Sequence, residues 1–319
     1  MKRLLSFVCL FLFAISAYGQ ANGKLQIHYM DVGQGDGAVL ISPQGEILLF
    51  DNGFIQCEQR SVKYLTSLGI THIDYMIISH YHKDHFGCTK AVLDKFPLTK
   101  ASYDRPGDPE SVTDAYNAYV AAVGSKRKHV NNDTVITLDA DSSNPVTINI
   151  AAFGGAGVET TNENDQSVVA VVHFGEFDVM MAGDLSGFNT TRYKDIETPV
   201  SKIVGQVEVL KINHHGSDHS SNSRWLAKLK PRVAMISAGN GNTFGHPTPT
   251  TVQRLHDTGI VKVYWTERGT GATPKPGRDV VANGAIKVQV SPGAGQFTVS
   301  YKTKTHTYSM WPTPYNGER

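Results

Sequence analysis

The feature that most constrains this chain is a cluster of histidines directly after an apolar run. Residues 80–85 read His80-Tyr81-His82-Lys83-Asp84-His85, and they follow the run Tyr75–Ile78. The run predicts a buried strand. Because side chains two residues apart on an extended chain point the same way, His80 and His82 can reach one metal ion. Asp84 and His85 come after a turn and can reach a second ion. A polar surface turn rich in histidine is the alternative interpretation.

Two later segments place further donors directly after apolar strands. Asp184 follows Phe177–Met181, and the pair His214 and His215 follows Val207–Ile212. A carboxylate has two oxygens, so Asp184 can bridge two ions. Taken alone it would more often be a turn residue or a helix cap, but the shared position after a strand favours metal binding. Imidazole and carboxylate groups suit zinc, or manganese where oxygen donors dominate.

The remaining chain alternates short apolar strands with helices. With 40% hydrophobic and 18% charged residues over 319 positions, it is not disordered, collagen-like or a coiled coil. No Pro/Gly/Ser-rich linker divides the middle of the chain, which predicts one α/β domain with helices covering sheets. The other predicted strands include Leu25–Met30, Ala38–Ile41, Ile47–Phe50, Val146–Ala151, Val168–Phe174 and Val233–Ile236; the predicted helices are Ser61–Leu68, Thr89–Phe96, Thr113–Val123, Arg224–Leu229 and Thr250–Asp257.

The N-terminus has the pattern of a secretory signal. Lys2 and Arg3 precede an apolar run, Leu4–Ile15, and small residues follow it. The run is shorter than the roughly 20 residues that span a bilayer, so we expect a signal peptide over residues 1–19, a domain over 20–319, a secreted or periplasmic location and no membrane span. An uncleaved anchor is the alternative. The cysteines that remain in the mature chain, Cys57 and Cys88, can form a disulfide in such a compartment or stay as two buried thiols.

Several motifs along the chain resemble those of the metallo-β-lactamase superfamily. They are Asp31-Val32-Gly33-Gln34-Gly35-Asp36-Gly37, Asp51-Asn52-Gly53, the histidine stretch, Gly183-Asp184 and His214-His215-Gly216-Ser217. Within it, the chain most resembles the hydrolase domain of ComEC-type DNA-uptake proteins and their secreted relatives, because Asn164-Asp165-Gln166-Ser167 and Gly245-His246-Pro247 also match. The resemblance implies an αββα sandwich with a metal site along one edge of the paired sheets.

The resemblance also implies a role for each donor. His80 and His82 hold one ion, a second ion is held by Asp84, His85 and His214, and Asp184 bridges them. Asp51 braces the histidine loop, and His215 supports the site or contacts substrate. The chain departs from the family pattern at one point, because no histidine lies where many members complete the first ion's ligands. Asp165 or Asn164 substitutes there, or the first ion is held loosely.

Two such ions can share a hydroxide and clamp an in-line displacement. This chemistry suits a phosphodiesterase or nuclease, with Asp84 and His246 as catalytic residues; His246 can contact a phosphate oxygen or protonate a leaving group. The alternatives are a lactone or β-lactam hydrolase and a non-catalytic uptake module.

The fold that the resemblance implies also places the loops before Cys57 and Cys88 next to each other. It therefore predicts a disulfide between these two cysteines.

The charge of the chain limits the size of the substrate. Loss of Lys2 and Arg3 leaves 28 of the 30 basic residues against 29 acidic ones, a net charge of −1, and Lys126–His129 is the one dense basic run. Long duplex DNA is normally bound through many basic residues. We therefore expect small phosphodiesters or short single strands as substrates, with weak duplex binding.

Overall fold

The computed structural model describes residues 21–54 and 57–312, so the predicted signal peptide lies outside the described residues. Within them, two mixed sheets stack face to face. The first sheet runs in the order β17-β16-β15-β1-β2-β3-β4-β5-β6. Its strands are β1 (Leu25–Tyr29), β2 (Gly37–Ile41), β3 (Ile47–Asn52), β4 (Ile73–Ile78), β5 (Leu98–Asp104), β6 (Arg127–His129), β15 (Ile286–Val290), β16 (Gln296–Tyr301) and β17 (Lys304–Ser309).

The second sheet runs in the order β14-β13-β12-β11-β10-β9-β8-β7. Its strands are β7 (Val135–Leu138), β8 (Val146–Ala152), β9 (Val169–Phe174), β10 (Phe177–Ala182), β11 (Val209–Lys211), β12 (Val233–Ile236), β13 (Lys262–Trp265) and β14 (Asp279–Val281). Strands β3 to β6 pair in parallel in the first sheet, and β10 to β14 do so in the second. Parallel strands end at the same edge of a sheet, so each sheet brings several strand ends together.

Helices cover the outer faces of both sheets. They are α1 (Lys63–Ser67), α2 (Lys83–Phe86), α3 (Thr89–Lys95), α4 (Asp114–Val123), α5 (Glu197–Val204), α6 (Ser223–Leu229) and α7 (Pro249–His256). A π-helical turn, Glu58–Val62, runs into α1. The sequence patterns did not predict β5 or α5. In the part of the chain that the structure describes, no helix is long and apolar enough to cross a membrane.

The core has three layers, which follow from the alternation of side chains along each strand. In β12, Val233 and Met235 point between the sheets, whereas Ala234 and Ile236 point to the helices. In β2, Leu40 likewise faces the second sheet. Strands covered on both faces are apolar along their whole length. The predicted αββα sandwich is confirmed.

Candidate metal centre and substrate cavity

The predicted donors meet at one edge of the sandwich because each lies at or just beyond a strand end. The histidine stretch follows β4, Asp184 follows β10, and the histidine pair follows β11. Backbone hydrogen bonds join these ends, from Val168 N to Ser79 O at 2.8 Å and from His214 N to Gly183 O at 3.3 Å. A side chain at Gly183 would collide with Ser79, so glycine permits the close approach of the two strand ends.

One cluster of donor atoms contains His85, His215, Asp184 and Asp36, all within 4.8 Å of one another, and Asp84 lies beside it. His85 Nε2 lies 3.3 Å from Asp184 Oδ1, and His215 Nε2 lies 3.2 Å from Asp84 Oδ2 and 3.6 Å from Asp184 Oδ2. His85, His215 and Asp184 are buried. These side chains converge closely enough to hold one cation between them.

A second cluster shares Asp184. His80 Nε2 lies 3.0 Å from His82 Nδ1. Donor atoms of His80, His82 and Asp184 all lie within 4.8 Å of one another. Asp184 therefore stands between the two clusters.

The unpartnered atoms of this site fit a bound cation. Three buried atoms, His85 Nε2, His215 Nε2 and Asp184 Oδ1, make no hydrogen bond of good geometry. Buried polar atoms are normally paired, so three that converge without partners indicate that another group belongs between them. Nitrogen and carboxylate oxygen are the donors that zinc and manganese accept.

The charges in the site also suit a cation. Burial alone raises the pKa of Asp184, but the surrounding histidines hold that pKa well below its usual range. The pKa of Asp84 is about 2, because His85 and His215 outweigh the effect of burial. Both carboxylates are therefore ionised at neutral pH.

Asp51 lies against the histidine loop, for which the resemblance implies a bracing role. One carboxylate oxygen accepts the Ser79 N–H at 2.8 Å, and the other lies 2.7 Å from Ser79 Oγ and 2.8 Å from His85 Nδ1. An Nδ1–H donated to Asp51 leaves His85 Nε2 with its lone pair toward Asp184, the arrangement a metal ligand needs.

The structure places the adjacent histidines His214 and His215 differently from the sequence expectation, which assigned His214 to the set with Asp84. His215, and not His214, faces Asp84; its Nδ1 lies 3.1 Å from the Ser237 carbonyl oxygen, which orients the ring. His214 Nε2 lies 3.7 Å from Asp184 Oδ2 and 3.3 Å from Asn164 Nδ2. His214 thus lies on the Asn164 side of the bridging carboxylate.

Of the two residues expected to replace the missing histidine, only Asn164 reaches the site. Its Oδ1 is buried and makes no hydrogen bond. Asp165 does not line the cavity; its Oδ2 accepts hydrogen bonds from Lys194 N at 2.8 Å and from Thr160 Oγ1 at 2.9 Å, and its Oδ1 is buried without a hydrogen bond.

Sequence reasoning assigned no role to Asp36, a member of the first donor cluster that lies on the Nδ1 side of His85 and His215. Its carboxylate is 2.5 Å from Lys211 Nζ, 3.5 Å from His215 Nδ1 and 3.7 Å from His85 Nδ1, and Asp36 and Lys211 are both buried. Burial raises the pKa of Asp36, but Lys211, His215 and His85 together more than offset this and hold the pKa below its ordinary value. The glycine-rich motif that contains Asp36 could have indicated a role for this residue, but it was used only as evidence for the family resemblance.

A buried ion pair between Arg105 and Glu163 was also missed. Arg105 donates to both carboxylate oxygens, at 2.8 and 2.6 Å, and Glu163 Oε1 also accepts the N–H of Tyr81 at 2.8 Å. Because Tyr81 lies between His80 and His82, the pair fixes the backbone of the histidine loop. No local pattern in the sequence indicates it.

His246 lies on the wall of a cavity of about 680 Å³ above the two clusters. Its ring centroid is 5.5 Å from that of His214 and 6.2 Å from that of His215. Burial and these two histidines lower the pKa of His246 to about 4. The ring is therefore neutral at pH 7 and can donate one N–H, which favours contact with a phosphate oxygen over protonation of a leaving group.

Cys57 and Cys88 are joined by a disulfide, with their Cα atoms 5.7 Å apart. The Cys88 N–H also donates to the Gly53 carbonyl at 3.1 Å. These contacts tie the loop after Asp51 to the segment that follows His85.

The fold and the donor clusters place the chain among metal-dependent hydrolases, and the comparison with family models identifies the superfamily. The family model described as the metallo-β-lactamase superfamily matches residues 38–240, and the chain belongs to this superfamily. The predicted family is confirmed.

The most similar curated relatives include competence proteins, which confirms the predicted branch. ComE operon protein 3 of Bacillus subtilis is 24% identical over 97% of this chain and 37% of its own length. Competence protein ComA of Neisseria gonorrhoeae is 29% identical over 72% of this chain and 29% of its own length. The chain thus spans about a third of the length of these relatives.

Solved structures with a similar fold are more distant. YhfI from Bacillus subtilis, described as a metallo-β-lactamase fold protein, is 14% identical with a TM-score of 0.47, and the match covers 78% of this chain and 99% of that one. Zinc-bound PqqB from Methylobacterium extorquens is 14% identical with a TM-score of 0.46 over the same shares of the two chains.

Proposed function

We propose that this protein is a secreted or periplasmic phosphodiesterase that acts on small phosphodiesters or short single strands, with residues 20–319 as one hydrolase domain. The observation that carries the proposal is the position of Asp184, shared by two donor clusters at the base of a cavity. Two metals about 3.5–4 Å apart are typical of enzymes that cleave phosphate esters. The disulfide supports an oxidising compartment.

In this proposal His80 and His82 would hold one ion, with Asn164 beside it. His85, His215 and Asp84 would hold the other, and Asp184 would serve both. His215 replaces His214 in the second set because its Nε2 faces Asp84. Divalent ions bound there, zinc or manganese, supply Lewis acidity toward a phosphate oxygen and lower the pKa of water.

The protein's own groups orient the reactants. His246 donates its N–H to a phosphate oxygen. Asp84, a quarter exposed and ionised, accepts a hydrogen bond from the attacking water. Asp51 holds the tautomer of His85, and the Arg105–Glu163 pair holds the loop that carries His80 and His82.

The relatives and the charge balance support the choice of substrate. The similarity to competence proteins favours a nucleic-acid substrate over a lactone or a β-lactam. The near-neutral chain favours a substrate held at one phosphodiester, since extended duplex binding needs many phosphate contacts.

The test is one substrate panel on metal-analysed protein. The panel holds a chromogenic phosphodiester, single- and double-stranded DNA, a lactone and a cephalosporin. We expect turnover of the diester and the single strand, lost in Asp184→Ala and kept in Asp94→Ala, which removes an exposed carboxylate on α3. Turnover of only the lactone or cephalosporin would contradict the proposal, and so would no turnover at all.

A further inference from the structure

Phe244 is an exposed aromatic ring on the wall of the cavity. It is 67% exposed, the highest value among the large hydrophobic side chains that stand out as exposed in the described residues. One face stacks on the ring of His246, with the centroids 5.7 Å apart and the planes 24° apart. Large exposed apolar groups beside a cavity often mark binding sites.

The exposure of Phe244 does not come from a loosely held loop. The side chain of Asn242 bridges the loop: its Oδ1 accepts the N–H groups of Phe244 at 3.2 Å and His246 at 3.0 Å, and its Nδ2 donates to the His246 carbonyl at 2.9 Å. Thr270 Oγ1 donates to the Asn242 carbonyl at 2.8 Å. The backbone that carries the ring is therefore held in place, and the ring itself stacks on His246.

Another aromatic ring of the cavity, that of Tyr193, already packs against neighbouring side chains. Tyr193 lies against the ring of His219 at 4.9 Å between centroids, and the guanidinium carbon of Arg192 lies 5.4 Å from the Tyr193 ring centre. Phe244 has a ring partner on one face and most of its surface in water. It is the better platform for a planar group of the substrate.

The position of Phe244 relates this platform to the metal centre. Its ring stacks on His246, and His246 contacts His214 and His215. A phosphate held between His246 and the donor clusters would leave its attached nucleoside beside Phe244. Stacking of a base on an aromatic ring tolerates every base, because each has a π face.

We propose that Phe244 is a stacking subsite for the nucleobase next to the bound phosphate, so that the substrate class is base-bearing nucleotides. This inference rests on the proposed phosphodiesterase function for the position of the phosphate. A base paired in a duplex is already stacked on its neighbours, so the subsite selects single strands and short fragments.

The test compares ligands that differ only in the base. Calorimetry on the metal-loaded protein measures the affinity for thymidine 5′-monophosphate and for the 5′-phosphate of its abasic tetrahydrofuran analogue. Cleavage assays use the corresponding thymidine and abasic trinucleotides. The variants are Phe244→Ala, Phe244→Trp and, as a control, Ile203→Ala, which removes an apolar side chain exposed on α5.

We expect the wild type to bind the thymidine ligand about tenfold more tightly than the abasic one. Phe244→Ala should bring that ratio close to one, Phe244→Trp should retain it, and Ile203→Ala should not change it. Equal wild-type affinity for the two ligands would overturn the inference. So would an equal fall for both ligands in Phe244→Ala, which would assign the ring to the sugar–phosphate or to loop structure, and so would the absence of binding.

The cleavage assay separates this inference from the proposed function. If the wild type cleaves no phosphodiester but binds thymidine monophosphate through Phe244, the proposed function fails and the subsite stands. If both trinucleotides are cleaved equally well and Phe244→Ala changes neither rate, the subsite fails and the phosphodiesterase stands.

Discussion

Asp51→Asn changes one atom behind the metal centre and should weaken metal binding without unfolding the protein. Asp51 has a backbone φ of 52°, a left-handed conformation that asparagine adopts readily. In its better orientation the amide oxygen accepts the Ser79 N–H, and the amide nitrogen then faces Ser79 Oγ and His85 Nδ1. The reverse orientation would set two donors against each other at Ser79 N.

The amide N–H then donates to His85 Nδ1, so the ring proton must move to Nε2. That nitrogen lies 3.3 Å from Asp184 Oδ1, and once protonated it has no lone pair for a metal. Changes to groups that support a metal ligand typically cost about 10–100-fold in affinity, which is about 1.4–2.7 kcal/mol.

Competition with a chelator measures the zinc and manganese affinities of the wild type and Asp51→Asn. Nitrogen-15 NMR of the histidine rings reports the tautomer of His85, and circular dichroism checks the fold. Asp94→Asn is the matched control, because that carboxylate is exposed on α3. A variant that keeps the Nδ1–H tautomer and binds metal as tightly as the wild type would refute the reasoning.

Three further predictions follow from other parts of the structure. His246→Ala should lower turnover of a chromogenic phosphodiester by about 100-fold and leave the metal content unchanged; lost metal would contradict its role as a substrate ligand. Replacement of Cys57 and Cys88 by alanine removes a crosslink between residues 31 apart. In the chain-entropy model this costs about 3.7 kcal/mol, or about 6 °C in the melting temperature for a fold of about 300 residues, and calorimetry showing no shift would disprove it. Burial raises the pKa of Glu208 from 4.5 to about 7. The folded protein therefore keeps a proton that the unfolded chain releases, and the free energy of unfolding falls as the pH rises through this interval. Urea denaturation at pH 5 and pH 8 should show a smaller loss for Glu208→Gln, and an unchanged loss would contradict the prediction.

The donor residues were predictable because the sequence places each one directly after an apolar strand. His80, Asp184 and the histidine pair could be grouped before any coordinates by this shared position, although β4 belongs to the first sheet and β10 and β11 to the second. The αββα layering followed from the resemblance and from the apolar strands. Asp51 was also predictable, because its motif matched the family.

Other features depend on conformation and distant pairing, which local sequence patterns do not encode. Both His214 and His215 have a positive φ, 50° and 52°, and this backbone decides which ring faces Asp84. Neither residue is a glycine, so no local sequence pattern predicted the positive φ at these two positions. Arg105 and Glu163 pair across 58 residues.

Helix α5 was missed because polar residues and Pro199 obscure its apolar face. Tertiary contacts fix its start: the buried carboxylate of Glu197 accepts hydrogen bonds from Asn213 Nδ2 at 2.8 Å and from Asn222 N at 2.7 Å.

Metal analysis of Asp184→Ala is the most direct test of whether Asp184 bridges two metal ions. Wild-type protein, the Asp94→Ala control and Asp184→Ala are loaded with zinc or manganese, and bound metal per chain is measured by mass spectrometry. We expect two ions in the wild type and in the control, and weakened binding of both ions in Asp184→Ala, because Asp184 belongs to both clusters. Retention of two tightly bound ions in Asp184→Ala would contradict the bridging role.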